Sequence, residues 1–186
     1  MRRLLSIVSF FGFIGCIFGA NYLITRYGIV PVGFGLTGPA GVFLVGPAFV
    51  FRDMLQWSSA TTPNLIRDKQ SSIITLLALA VGITISYQLA SKQIAFASAV
   101  AFGLSEFVDF VAFTIIAPKR NTSTYLKWAR AVLVSGIFGI VIDSIVFLSI
   151  AFHSLSYAPG QMLGKLYGVL IASVIIAVRR KKTANV

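Results

Sequence analysis

Six long apolar stretches, separated by short polar connections, organise the chain: Leu4–Thr25, Val30–Phe51, Ser71–Ser91, Ile94–Ala117, Ala131–Phe152 and Gln161–Val178. About 20 helical residues cross a hydrocarbon core of roughly 30 Å, and each stretch is that long or nearly so. The pattern predicts an all-α fold, a polytopic six-transmembrane-helix bundle in which residues 1–186 form a single integral membrane domain. Little chain is left over for anything outside the bilayer. The first three stretches carry no formal charge apart from their flanks. The fourth holds Glu106 and Asp109, the fifth Asp143, and the sixth Lys165 near its start.

Composition supports this reading. Of 186 residues, 57% are hydrophobic and 11% charged, against about 45–50% and about 25% in a soluble domain. A chain this short still exposes roughly 30% of its unfolded surface when folded, so a water-soluble core cannot hide the apolar excess. An ordinary soluble enzyme, a disordered chain and a secreted disulfide scaffold are thereby excluded. The charge is lopsided, with 16 Lys and Arg against 5 Asp and Glu and a net +11. In a soluble protein that balance points to nucleic acid, but no polar domain exists to carry a basic stripe, and no nucleic-acid partner is expected. Basic residues instead gather in the cytoplasmic connections of membrane proteins. The amino terminus has Arg2 and Arg3; the connection after the second stretch has Arg52, Arg67 and Lys69. The connection after the fourth has Lys119, Arg120, Lys127 and Arg130, and the tail Arg179, Arg180, Lys181 and Lys182. Those thirteen fall on one side, against Arg26, Lys92 and Lys165 on the other. Both termini are therefore expected in the cytoplasm, and the chain in the cytoplasmic (inner) membrane.

The amino-terminal stretch faintly resembles a cleaved signal, with Arg2–Arg3 before the apolar run and Phe13-Ile14-Gly15-Cys16 in its middle. The run continues to Thr25, and Phe18-Gly19-Ala20 lacks the small residue wanted three positions before a cut. An uncleaved first helix is expected. One cysteine, Cys16, and one histidine, His153, support neither a disulfide nor a thiolate or zinc site. No metal and no cofactor is expected.

The second stretch is unlike the others, with Pro31, Pro39 and Pro47 among Gly33, Gly35, Gly38, Gly41 and Gly46. Neighbouring helices can satisfy the carbonyls such residues free. It reads either as a broken helix lining a cavity, as in many transporters, or as an irregular, tightly packed one. Gly33 to Pro39 lacks the Gly-Lys-Ser/Thr ending of a phosphate loop, and no nucleotide-hydrolysing motif occurs in the chain. Gly12, Gly15 and Gly19 form a small-residue seam suited to close packing within the chain or against a partner subunit. Trp57, Tyr125, Trp128, Tyr157 and Tyr167 fall near stretch ends, where an interfacial aromatic belt is expected.

Ionisable groups at membrane depth are costly and face a protein interior or a watery cavity. Glu106 and Asp109, three apart, share one helix face, bracketed by Phe102 and Phe113 with Gly103 beside them. Two carboxylates so close resist double ionisation, which suits proton coupling or hydrogen-bond donation; a structural pair between helices is the plainer reading. Asp143 lies centrally in its stretch, with Gly136 and Gly139 on the turns before it and Phe147 on the turn after. Lys165 reads as its counter-ion, or as a stem reaching the interface. Asn21 and Asp53 are weaker signals, and Asp53 beside Arg52 reads by itself as a solvated loop charge.

Several of these residues stand in a familiar order. Ala20-Asn21-Tyr22-Leu23, Phe49-Val50-Phe51-Arg52-Asp53-Met54-Leu55, Ser105-Glu106-Phe107-Val108-Asp109, Phe138-Gly139-Ile140-Val141-Ile142-Asp143-Ser144 with Phe147, and Gly164-Lys165-Leu166 resemble the queuosine precursor transporter family. This family, also called YhhQ, comprises vitamin-uptake-transporter-like integral membrane proteins, and the likeness runs over most of the chain. Two departures stand out: Ile140 occupies a position where members often carry an amide, and the connection after Asp53 lacks the usual Gly- and Arg-rich sequence. The resemblance implies a non-enzymatic importer of a 7-deazaguanine queuosine precursor, such as the 7-cyano or 7-aminomethyl base, for tRNA queuosine salvage. By position, it makes Asn21, Asp53, Glu106, Asp109, Asp143 and Lys165 the substrate-binding candidates. One carboxylate can accept the adjacent N1–H and 2-amino donors of a deazaguanine. Glu106 is assigned that role, with Asp109 or Asp143 as alternatives, and Phe110 or Phe147 as the stacking face. The expected partners are a purine-like small molecule and the lipid bilayer. A homodimer, or a separate ATPase module energising a substrate-binding subunit, is the alternative organisation. A non-transporting holin-like pore or scaffold is the rival of another class.

Overall fold

The structure, a computed structural model, describes residues 2–62, 64–65, 68–89, 92–117 and 125–184. Ser91, which ends the third apolar stretch, and Arg67, Lys119 and Arg120 of the sidedness tally lie outside the described residues. In chain order the elements are α1 (Arg2–Tyr27), β1 (Ile29–Gly33), β2 (Leu36–Pro39), α2 (Val42–Ser59), α3 (Lys69–Leu89), α4 (Lys92–Ile116), α5 (Tyr125–Ala151) and α6 (Ala158–Ala184). Five of them, α1, α3, α4, α5 and α6, are long and apolar enough to cross a membrane.

α2 differs because it is the hub of the bundle. It packs against each of the other five helices, and every residue from Arg52 to Ser58 is buried. A helix surrounded by protein has no lipid face to make uniformly apolar, and can carry charges whose partners come from its neighbours. Around it α1 packs on α3, α3 on α4, α4 on α5, and α5 on α6. The outer helices turn large apolar side chains such as Phe11, Leu77, Ile115 and Ile171 outward, as lipid-facing surfaces require.

The second apolar stretch is therefore corrected: Val30–Phe51 is not one span. Its proline- and glycine-rich first part is a β-hairpin and only its second part is helical. Antiparallel pairing sets Ile29 opposite Pro39, Val30 opposite Gly38 and Pro31 opposite Thr37, with an irregularity before Gly33 meets Leu36. At the tip, Phe34 (φ 53°) and Gly35 (φ 72°) both take positive φ, the geometry that lets a two-residue turn follow strand twist. The hairpin packs on the start of α6, where Gly38 lies against the backbone of Gly160 and Gln161.

Within α2, Pro47 lacks the N–H that would bond the carbonyl of Phe43. That carbonyl abuts Gly168 of α6, 3.0 Å from where a Cβ would stand. Gly46 likewise lies directly on the α6 backbone at Lys165 and Val169. Small residues here let two helices cross at backbone contact, which brings Lys165 to the middle of the bundle. The glycine seam of α1 is used the same way: Gly12 receives Phe51 and Gly19 receives Leu44 of α2, while Gly15 has nothing within 4 Å. Trp57 and Trp128 do not join an interfacial belt; both are buried in the core with Phe49, Leu65 and Phe113.

Candidate functional site

Two polar assemblies occupy the bundle interior, one above the other. The first surrounds a cavity of about 560 Å³, counting its open mouth. Cys16, Ala20 and Asn21 of α1 form one wall, with Ser86 of α3 and Phe102 of α4 beside them. Pro39, Val42 and Ala48 close a second wall, and Asp143 and Phe147 of α5 with Gln161 and Lys165 of α6 the third. Its mostly apolar lining with a few convergent polar groups is typical of small-molecule sites.

The polar groups of this cavity are fixed by their neighbours. Lys165 Nζ donates to Asp143 Oδ2 and to Ser144 Oγ at 2.9 Å. Ser105 Oγ donates to Asp143 Oδ1 at 3.4 Å. Asn21 Nδ2 donates to the Ile17 carbonyl at 2.9 Å and, at 3.4 Å, to Ser86 Oγ. Lys165 is 1% exposed, so it is the counter-ion of Asp143 and not a stem reaching the interface. Phe147 presents its ring to the cavity and leans edge-on against Phe152, ring centroids 6.0 Å apart.

The second assembly is built on Arg52, which is fully buried. Its Nη1 lies 2.8 Å from Asp53 Oδ1, its Nε 3.0 Å from Glu106 Oε2, and its Nη2 against Asp109 Oδ2. Ser135 Oγ of α5 donates to Asp53 Oδ2 at 3.2 Å. Gly139 leaves room for Asp109, whose Cβ would stand 3.1 Å from a Cβ there. One turn further along α2, Gln56 Nε2 donates to Thr114 Oγ1 at 2.6 Å. The arrangement corrects the reading of Arg52 and Asp53 as solvated loop charges. Both are interior, held by α4 and α5. Removing Arg52 from the thirteen and Lys165 from the three leaves twelve basic residues against two in the sequence tally.

Of the residues singled out by sequence, Asn21, Asp143, Phe147 and Lys165 meet in the cavity wall. Asp53, Glu106 and Asp109 meet around Arg52 and do not line the cavity, although Ser105, next to Glu106, bonds Asp143. Phe110 is buried but belongs to neither wall; its carbonyl accepts from Thr114. The structure adds Ser86, Ser135, Gln161 and Arg52 to these residues; by sequence position alone Gln161 only begins an apolar stretch and Arg52 reads as a cytoplasmic charge. The signal for Arg52 was present in Phe49-Val50-Phe51 before it and Met54-Leu55 after the pair, an apolar frame that no solvated loop needs.

Apolar outer helices around a buried charged hub and an internal cavity with a fixed ion pair are the features of a multi-pass membrane protein. A protein-family model described as "Putative vitamin uptake transporter" matches residues 39–179, more than half of the chain, and the chain belongs to that family. No curated protein and no solved structure matches it.

Proposed function

We propose that this protein is a carrier that imports a queuosine precursor, a 7-deazaguanine such as the 7-cyano or 7-aminomethyl base, across the cytoplasmic membrane. The carrying observation is the cavity itself, where an immobilised carboxylate, an ammonium, an amide and an aromatic ring converge on one space. Asp143 is the carboxylate that accepts the paired N1–H and 2-amino donors, because it lines the cavity and Glu106 does not. Phe147 stacks on the flat base, a contact worth about 1–3 kcal/mol, and Lys165 donates to its 6-oxo group.

With the basic connections inside the cell, the cavity lies in the outer half of the bundle, among the end of α1, the end of α3 and the start of α6. The Arg52 assembly lies beneath it and closes the inner half. Three carboxylates around one guanidinium supply interior charge for cation coupling, which favours a self-contained carrier over a subunit energised by a separate ATPase.

The test is a cell unable to make queuosine precursors, supplied with this gene and an external precursor. Queuosine is expected in its tRNA. Its absence with every precursor tried overturns the substrate, and co-purification of a stoichiometric ATPase overturns the self-contained carrier.

A further inference from the structure

Most polar groups of the cavity wall already have partners. Lys165 is committed to Asp143 and Ser144, Asp143 also receives Ser105, and the Asn21 amide nitrogen is held by Ile17 and Ser86. Gln161 is different. It lines the cavity, is 2% exposed, and its amide oxygen is buried without a hydrogen-bond partner. Gln161 and Lys165 stand four apart on α6, one above the other on the same face. The backbone at Gln161 is pinned from outside, because Gly38 of the hairpin approaches until a Cβ there would lie 3.2 Å from the Gln161 nitrogen. The helix turn is therefore fixed beside the cavity, and the torsion of the terminal amide is intrinsically broad. A buried acceptor left unpaired is unfavourable, and a carbonyl-type oxygen is satisfied only by a donor.

We propose that Gln161 is a specificity-determining residue of this cavity, its side-chain oxygen accepting an N–H of the bound heterocycle. The assignment rests on the importer reading above and extends it to a second recognition point beside Asp143. It selects ligands that present N–H groups on two parts of their rim over those with a single donor edge.

The experiment measures equilibrium binding of 7-cyano-7-deazaguanine, of its pyrrole-N-methyl analogue and of its 2-deamino analogue to the full-length protein in detergent. Wild type is compared with Gln161→Met, which keeps length and volume but has no strong acceptor, and with Gln161→Asn, which draws the amide back by one methylene. Both variants are expected to bind the parent base roughly tenfold more weakly. In Gln161→Met, the pyrrole-N-methyl analogue, which lacks the N–H left over by Asp143, is expected to show no further loss against the parent base, while the 2-deamino analogue keeps its loss. Parent-base binding equal to wild type in Gln161→Met overturns the assignment, as does a weakened variant that still discriminates against both analogues as wild type does. If Gln161→Met does not fold, Gln161→Asn decides on the same criteria. Wild-type protein that binds no deazaguanine overturns the importer reading and this assignment with it.

Discussion

Arg52 and Lys165 are cations that the bundle buries almost completely, at 0% and 1% exposure, and each is held by acids from neighbouring helices. Removing one member of a buried ion pair leaves an unpaired charge in low dielectric, at a cost of about 3–5 kcal/mol, whereas replacing both members is often tolerated. Lys165→Met is therefore expected to lower the melting temperature in detergent strongly, and adding Asp143→Asn to recover most of that loss. Uptake is expected to stay absent in the double variant, because the cavity has lost its recognition groups. A single variant as stable as wild type would show that the pair does not share its charge. The acids of this interior were legible in the sequence, since Glu106, Asp109 and Asp143 sit deep in apolar stretches. Their grouping was not. Arg52 reaches Glu106 from 54 positions away, and a linear reading weighs a charge by its immediate neighbours. Arg52 beside Asp53 near the end of a stretch looks like a loop until helix α4 is laid against it.

At the scale of elements, the outer helices were legible because lipid contact demands uninterrupted apolar runs. The hub was not, because α2 is solvated by protein and escapes that demand. Its approach carries Pro31, Gly33, Gly35 and Gly38, residues that no bilayer-spanning helix requires; Gly33 and Gly35 take positive φ at the hairpin bend and Gly38 lets the strand meet α6. The connection from α2 to α3 shows a second local device. Asp68 caps α3, its Oδ1 accepting the Ser71 N–H at 2.8 Å, while Oδ2 accepts from the backbone of Thr61 and Thr62 and from the Thr61 hydroxyl at 2.9 Å. Burial pushes this carboxyl up, but the donors from Ser71, Thr62 and Thr61 outweigh it and hold it well below the usual carboxylate range. A group lowered in the folded state stabilises above its unfolded value of about 4 and loses that contribution as pH falls toward the folded value. Asp68→Ala is thus expected to lose about 0.5–2 kcal/mol at neutral pH. The gap to wild type should narrow in melting curves taken below about pH 4. A gap independent of pH would assign the effect to packing and not to the carboxylate.

For the whole molecule, the cavity is lined by the ends of α1 and α3 and the start of α6, while the Arg52 assembly draws on the second halves of α2 and α4. If the protein works as the carrier proposed above, alternating access would require parting Arg52 from the acids of α4, while the hairpin and the start of α6 stay in backbone contact at Gly38 and Gly160. Cys16 reports on this arrangement, since it lines the cavity and is the only cysteine in the chain. With the basic connections in the cytoplasm, a small membrane-impermeant thiol reagent added outside is expected to modify Cys16 in cells with a permeabilised outer envelope, and Cys16→Ser protein to remain unlabelled. Added 7-cyano-7-deazaguanine should slow the modification in proportion to its occupancy, because the base fills the space the reagent must cross. Modification only from the cytoplasmic side would invert the orientation drawn from the basic residues, and labelling indifferent to the base would remove this cavity as its binding place.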